Sequence, residues 1–391
     1  MWLLFATNLI NRAGMMVLPF LVLYCTRELG FTAGQAGLAL ALYGAAAIVA
    51  GPVSGRLSDR IGALPIMRAS LLMSGTVLLL FPLARSRFAV YAMTILWASC
   101  SELFRPASLA AITHVVTAGE RRSAHALNRL AINLGMSIGP ALGGFLATVS
   151  FRAMFVVDAA TTIVAGLVLS ATSWRATKGT GDDETESLYH GGEAKSLLHD
   201  RRLMVFLTAS ILCGIVFYQH ESALPLYLVE YLNQSPAFYG TLFTINTLLI
   251  VALEVPLNRA TSHWPNTWPL FIGCMLFAIG FGALALVSSP TGVLVTVVVW
   301  TFGEMMLFPA MAAHLGDIAP ENKRGAYMGA YSMSLAIALT IGPWLGTQLL
   351  AAVGPTGVWT VMFGLGALAA VLMVYGGSHR RPSPVAVAAG S

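Results

Sequence analysis

The sequence predicts an all-α membrane protein of twelve transmembrane helices, arranged as two pseudo-symmetric six-helix bundles. Three observations carry that prediction: scarce charge, long apolar runs without ionisable groups, and a repeat that divides the chain in two.

Of 391 residues, 57% are hydrophobic and 10% charged, where a soluble domain carries roughly 25% charged residues. That deficit calls for a nonaqueous solvent. About 20 residues at ~1.5 Å rise cross the hydrocarbon core, and the runs 268–287, 326–352 and 358–376 contain no Asp, Glu, Lys or Arg. A β-barrel would alternate polar and apolar residues instead. Apolar runs between charged or Gly/Pro breaks place spans at 2–26, 32–55, 63–84, 88–114, 125–149, 153–174, 203–229, 236–258, 267–287, 291–316, 325–352 and 356–377.

Basic residues orient these spans. With the N-terminus cytoplasmic, sixteen of the 22 Lys and Arg residues fall inside, only Arg27, Arg85, Arg87 and Arg152 fall outside, and Arg12 and Arg105 lie within spans. This satisfies the positive-inside rule and accounts for a pI near 9.1 without any nucleic-acid partner. The expected location is a bacterial inner membrane, multi-pass, with both termini cytoplasmic and the bilayer as the surrounding partner; a monomer is expected. The start, Met1-Trp2-Leu3-Leu4, has no basic n-region and Arg12 interrupts its apolar run, so no cleaved signal peptide is expected. The four cysteines (Cys25, Cys100, Cys213, Cys274) lie far apart in or beside apolar spans without CxxC spacing, and read as small apolar residues, with neither disulfides nor metal.

One long polar stretch, 175–202, separates residues 1–174 from 203–378, and 379–391 forms a cytoplasmic tail. It reads as a mobile cytoplasmic linker. The halves share a pattern at an offset of about 203 residues. Ile138-Gly139-Pro140-Ala141-Leu142-Gly143 answers to Ile341-Gly342-Pro343-Trp344-Leu345-Gly346, and Gly37, Arg56 and Pro106 answer to Gly240, Arg259 and Pro309. Duplication of this kind builds many transporters; frequent Gly and Pro in membrane helices is the plainer explanation of any single match.

An ionisable side chain within a span costs ~2.5–3.5 kcal/mol on insertion scales, which makes each one a functional candidate. Arg12 lies in the first span, Glu102 and Arg105 in the fourth, His220 and Glu221 in the seventh, and Glu304 in the tenth. Glu254, Asp317 and Arg129 sit near span ends, and Asp158 lies towards the outer end of the sixth. Glu102 and Arg105, at i and i+3, share a helical face, as cavity groups or as a permanent internal ion pair. His220 and Glu221 point about 100° apart on a helix, so only one need face a cavity. Glu304 has no basic neighbour at i±3 or i±4 and must find Arg12 or Arg105 across the cavity, or carry a proton. A carboxyl binds its proton more tightly when buried and less tightly beside an arginine, so alternating between such settings makes a proton carrier. Phe20, Tyr24, Tyr43, Phe217, Tyr218, Tyr227, Met305 and Met306 are candidates for an adaptable apolar lining or for plain core. No GxxxxGK[ST] loop and no HExxH motif occurs, so neither ATP-driven transport nor a membrane protease is indicated.

Gly55-Arg56-Leu57-Ser58-Asp59-Arg60-Ile61-Gly62, between the second and third spans, resembles the signature loop of the major facilitator superfamily, with Ala63-Leu64 in place of the customary basic pair. The copy in the second half has Ser262 and His263 where the first has Asp59 and Arg60. The resemblance implies a gating latch in which Asp59 meets the start of span eleven near Gly325-Ala326; a charge cluster that only fixes topology is the alternative. Gly135, Gly139, Pro140, Gly143 and Gly144 in span five are similar to the motif of the superfamily's proton-coupled drug exporters. Small residues at every fourth position bring helices close and Pro140 bends the span. Gly303-Glu304 through Pro309, with Ala319-Pro320 and Arg324 to Gly329, resembles proton-coupled oligopeptide transporters, but span one lacks the two glutamates expected around that family's arginine. The resemblance implies that spans one, four, seven and ten line a central cavity. The function it implies is proton-coupled export of amphipathic small molecules, with peptide symport as the alternative, needing no cofactor beyond a proton gradient.

Overall fold

A computed structural model describes residues 2–115, 121–171, 199–320 and 323–377. The linker falls mostly, and the tail wholly, outside the described residues. The described chain is helical nearly throughout. Among the described residues, ten helical stretches are long and apolar enough to cross a membrane.

The helices depart from straight rods where the sequence supplies a reason. Helices α1 (Trp2–Ala13) and α2 (Val17–Arg27) form one interrupted stretch, broken over residues 14–16 beside Gly14. Helix α3 (Ala33–Ile61) begins on a capping box, in which Thr32 and Gln35 satisfy each other's backbone N–H groups. It ends at Gly62, whose φ of 91° is a left-handed conformation that glycine adopts without strain. Helix α4 (Ala63–Leu80) follows at once. Helices α5 (Arg87–Ser101) and α6 (Phe104–Val115) divide the fourth span at Glu102-Leu103, so neither piece alone reaches a bilayer's thickness. Helices α7 (Arg121–Val149) and α8 (Phe151–Ser170) run unbroken, α7 through Pro140.

In the second half, α9 (Arg201–Phe217) passes into a tight turn at Tyr218–Glu221, a short α10 (Ala223–Leu226) and a wide turn at Tyr227–Tyr231. Helices α11 (Pro236–Thr261), α12 (Thr267–Gly282) and α13 (Pro290–Ile318) follow. Helix α14 (Arg324–Gly377) is 54 residues long, about twice a bilayer crossing, and is divided by Gly354 at φ 72°, ψ −178°.

Packing repeats at the sequence offset. A Cβ on Gly37 of α3 would lie 2.9 Å from the Pro343 carbonyl oxygen and 1.9 Å from Thr347 Oγ1 of α14. Its counterpart Gly240 of α11 would meet the Pro140 carbonyl oxygen at 2.3 Å and Gly144 Cα at 3.2 Å. The contacting residues themselves are 203 positions apart. Both seams are therefore sealed by backbone-to-backbone approach that only glycine permits. They differ at the other end: Gly51 and Gly55 of α3 would meet nothing within 4 Å, whereas α7 and α11 stay tied by an ion pair between Arg129 and Glu254.

Asp200 caps α9, accepting from the N–H groups of Arg202 at 3.0 Å and Leu203 at 3.3 Å, and the Tyr327 hydroxyl donates to it at 2.5 Å. Partial burial pushes its carboxyl up, but these three donors outweigh burial and hold it below the ordinary carboxylate range.

Two predictions come from this packing. Gly240→Ala, which must push α7 and α11 apart, should lower unfolding stability by ~1–3 kcal/mol, while Gly316→Ala, with open space around its Cβ, should be neutral or stabilising; detergent-titrated unfolding measures both. Asp200→Ala should cost ~1 kcal/mol as a lost cap. Because the Asp200 carboxyl is held low, its stabilisation is present above the unfolded value near ~3.9 and is lost as pH falls through the lowered folded value. Acid unfolding of Asp200→Asn should accordingly lose part of the wild-type pH dependence.

Candidate functional site

Membrane charges gather around a cavity of about 50 Å³ in the first half, lined by Arg12, Tyr43, Glu102, Arg105 and Asp158 among others. That volume holds one or a few waters. Arg12 ends α1, just before the break, and its Nη1 lies 3.1 Å from Met15 Sδ. Glu102 sits where α5 stops. Its Oε1 accepts from the Tyr43 hydroxyl at 2.8 Å, and that hydroxyl lies 3.1 Å from Ser101 Oγ.

This geometry corrects the ion-pair reading of the fourth span. Residues 102 and 103 are outside both helices, and Glu102 and Arg105 form no ion pair among the described residues, although both line the cavity. Glu102 is held by a neutral phenol instead, and Arg105 is exposed towards the cavity.

The seventh span holds a second correction. On a regular helix His220 and Glu221 would diverge, but the tight turn there departs from the 100° helical step, and Nε2 lies 3.6 Å from Glu221 Oε1. Both are buried. His220 Nδ1 lies 2.6 Å from the Phe217 carbonyl oxygen, and the Tyr239 hydroxyl donates to the His220 carbonyl at 2.8 Å and to Pro19 at 3.2 Å across the two halves.

Glu304 of α13 meets neither Arg12 nor Arg105 in an ion pair. Asn246 of α11 donates to its Oε2 at 3.0 Å and lies 3.0 Å from Thr301 Oγ1. An amide leaves the carboxyl's charge uncompensated, which permits proton uptake and release at this position. Of the aromatic and methionine candidates, Tyr43 borders the cavity, while Phe20, Tyr24, Tyr227, Met305 and Met306 are buried core. Cys213 and Cys274, 61 residues apart, come within 3.0 Å of each other.

The glycine motif of α7 is placed against the break in the first span. A Cβ on Gly135 would lie 2.3 Å from Arg12 Cβ, on Gly139 2.9 Å from the Arg12 carbonyl oxygen, and on Gly143 3.0 Å from Met16 Cβ. Gly144 turns to α11. The counterpart glycines of α14 do the same for the seventh span, Gly342 against Ile215 and Gly346 against Gln219. Sequence reasoning does not single out Asn246 or Asp158 as site residues; both are polar groups in spans, and Asn246 carries no formal charge to draw notice.

Asp59 and Arg60 are exposed, and Asp59 has no hydrogen bond or ion pair among the described residues. The expected meeting with Gly325-Ala326 is absent from this conformation, in which α3 and α14 part beyond Gly44. Asp59→Asn should abolish most transport while expression, insertion and unfolding midpoint stay near wild type; near-normal transport would reduce the loop to a topology signal.

The family model of the major facilitator superfamily matches residues 3–233 and 207–390. The MFS-type transporter YqjV of Bacillus subtilis (strain 168) is 25% identical over 93% of this chain and 90% of its own. A Na(+), Li(+), K(+)/H(+) antiporter of Planococcus maritimus is 26% identical over 85% of each chain, and multidrug resistance protein MdtH of Aeromonas hydrophila is 23% identical over 91% and 92%. Among solved structures, a point mutant of the nucleoside transporter NupG superposes with a TM-score of 0.82 at 13% identity, over 96% and 99% of the two chains. A point mutant of the peptide transporter POT gives 0.81 at 15%, over 96% and 94%. The chain belongs to the major facilitator superfamily: it is a multi-pass membrane transporter and not an enzyme.

Proposed function

We propose that the protein exports amphipathic small molecules in exchange for protons, by rocking two six-helix bundles around a central site between them. Joining α5 to α6 and dividing α14 at Gly354 supports twelve spans, with both termini cytoplasmic under the positive-inside rule. The end where Gly51 and Gly55 stand free is then the cytoplasmic end, and the conformation is open inward, with the α3–α14 latch undone.

The observation that carries proton coupling is Glu304, a partly buried carboxyl in mid-span held by an amide without an ion pair. When the central site closes and water leaves, such a group favours its neutral form; when it reopens, it releases the proton. A proton crossing an interior-negative membrane supplies roughly 2.3 kcal/mol per 100 mV, enough for a gradient of about fiftyfold. Antiport and export are supported by relatives whose names carry a cation/proton antiporter and multidrug resistance proteins across most of the chain. Proton-coupled symport of peptides or similar metabolites is the second reading, favoured by the likeness around Gly303-Glu304.

Inside-out vesicles under an imposed pH gradient separate them. Acid-inside vesicles that accumulate a lipophilic cationic dye establish antiport, and peptide uptake driven by the gradient in right-side-out vesicles establishes symport instead. Glu304→Gln should abolish pH-driven accumulation while dye-for-dye exchange persists, and Glu304→Asp should keep partial coupling. Wild-type accumulation and pH dependence in Glu304→Gln would move the proton site elsewhere, with Glu221 and Glu102 next.

A further inference from the structure

An interrupted helix inside a membrane frees backbone N–H groups where no water reaches them. Helix α2 begins in that situation, and its first residues offer no side-chain cap. The Met16 N–H is shared between the Gly14 carbonyl at 2.7 Å and Asp158 Oδ2 at 3.0 Å, and the Val17 N–H reaches the same carboxylate oxygen at 2.9 Å. Thr162 donates to Asp158 Oδ1 at 3.4 Å. Asp158 is 3% exposed and belongs to α8, so a neighbouring span caps the break. Gly14 admits that close approach, since a Cβ there would lie 2.2 Å from Thr161 Oγ1.

Among the described residues Asp158 has no ion-pair partner. From α1 comes Arg12, and across the shared cavity come Tyr43, Glu102 and Arg105. Helix α2 brings Tyr24, edge-on to Phe155 at 4.7 Å between ring centroids. Helix α4 brings Arg68, bonded to the Leu169 carbonyl far along α8, and α7 brings Arg129, paired with Glu254. None forms an ion pair with Asp158, whose recorded partners are the two backbone N–H groups and Thr162. Asp158 also lines the small cavity, which gives water, and hence protons, a route to it.

We propose that Asp158 is a second proton-binding site, separate from Glu304, and that its protonation loosens the cap on α2 so that the break at residues 14–16 changes shape. A carboxylate holds N–H donors by charge-assisted bonds about twice as strong as neutral ones. A proton from cavity water, taken up on Oδ1 or Oδ2, removes that assistance. The corresponding break in the seventh span is held by Gln219, whose amide donates to the carbonyls of Ile215 at 2.9 Å and Gly342 at 2.8 Å. An amide does not titrate, so that cap, unlike the one Asp158 makes, is not itself loosened by a proton. The inference rests on the proton-coupled reading above but is tested apart from it.

The full chain in lipid nanodiscs is followed by amide hydrogen exchange of the peptide covering residues 14–20, each pH being corrected with an unfolded reference peptide. On acidification the wild type should gain roughly tenfold in corrected exchange. Asp158→Asn, which keeps an acceptor oxygen in place, should show no such gain, and Asp158→Glu should restore it. An infrared band of a protonated carboxyl should appear over the same pH range and vanish in Asp158→Asn. Glu304→Gln should leave both signals unchanged, so a failure of Glu304 as the coupling site and a failure of this proposal are read separately. An unchanged acid response in Asp158→Asn, or none in the wild type, would overturn it.

Discussion

Every backbone polar group in a bilayer must find its partner within the protein, and the two broken spans are where that constraint bears hardest. The first span breaks over residues 14–16 and the seventh over residues 218–222, each carrying ionisable groups beside the break. A break brings unpaired backbone and charge to one place, and that is tolerated only where neighbouring helices come very close. The glycines of α7 and α14 supply the closeness. Gly139 and Gly143 on one side, Gly342 and Gly346 on the other, bring each helix onto a break at distances that no side chain would allow.

The same two helices also face the opposite half. Gly144 of α7 meets Gly240 of α11, while Pro343 and Thr347 of α14 meet Gly37 of α3. Each glycine-bearing helix thus touches a broken span on one face and the partner half on the other. A change of shape at a break is felt at the seam, with no longer relay of contacts required. The Arg129–Glu254 pair restrains one seam, and its counterpart position on α3 is Gly51, with no side chain to pair. The two seams therefore differ at that end, with open space beside Gly51 and Gly55 of α3 while α7 and α11 remain joined by the ion pair.

Much of this was legible in the sequence. Uncharged runs mark the spans, and the 203-residue offset marks equivalent glycines that prove to make equivalent contacts. The charges of spans one, four, seven and ten are legible for the same reason, since an ionisable group in an apolar run is conspicuous. What escaped was partner choice. Spacing arguments assume an intact helix, and at Glu102 and His220 the helix is not intact, so Glu102 turns to Tyr43 and His220 comes within reach of Glu221. Glu304, expected either to find an arginine or to carry a proton, is met by Asn246, a choice set by the register of α11 against α13 and invisible within either segment.

The central claim is that the two ends of the molecule open alternately, under control of the proton. Spin labels at the exposed positions Ile61 and Trp264 report one end, and labels at Phe88 and Leu286 report the other. Electron–electron distance measurements in nanodiscs at high and low pH compare the two pairs directly. The account predicts opposite changes, the Ile61–Trp264 distance shortening as the Phe88–Leu286 distance lengthens, with the sense of the change set by pH. Distances that stay fixed, or that lengthen together at both ends, would contradict it.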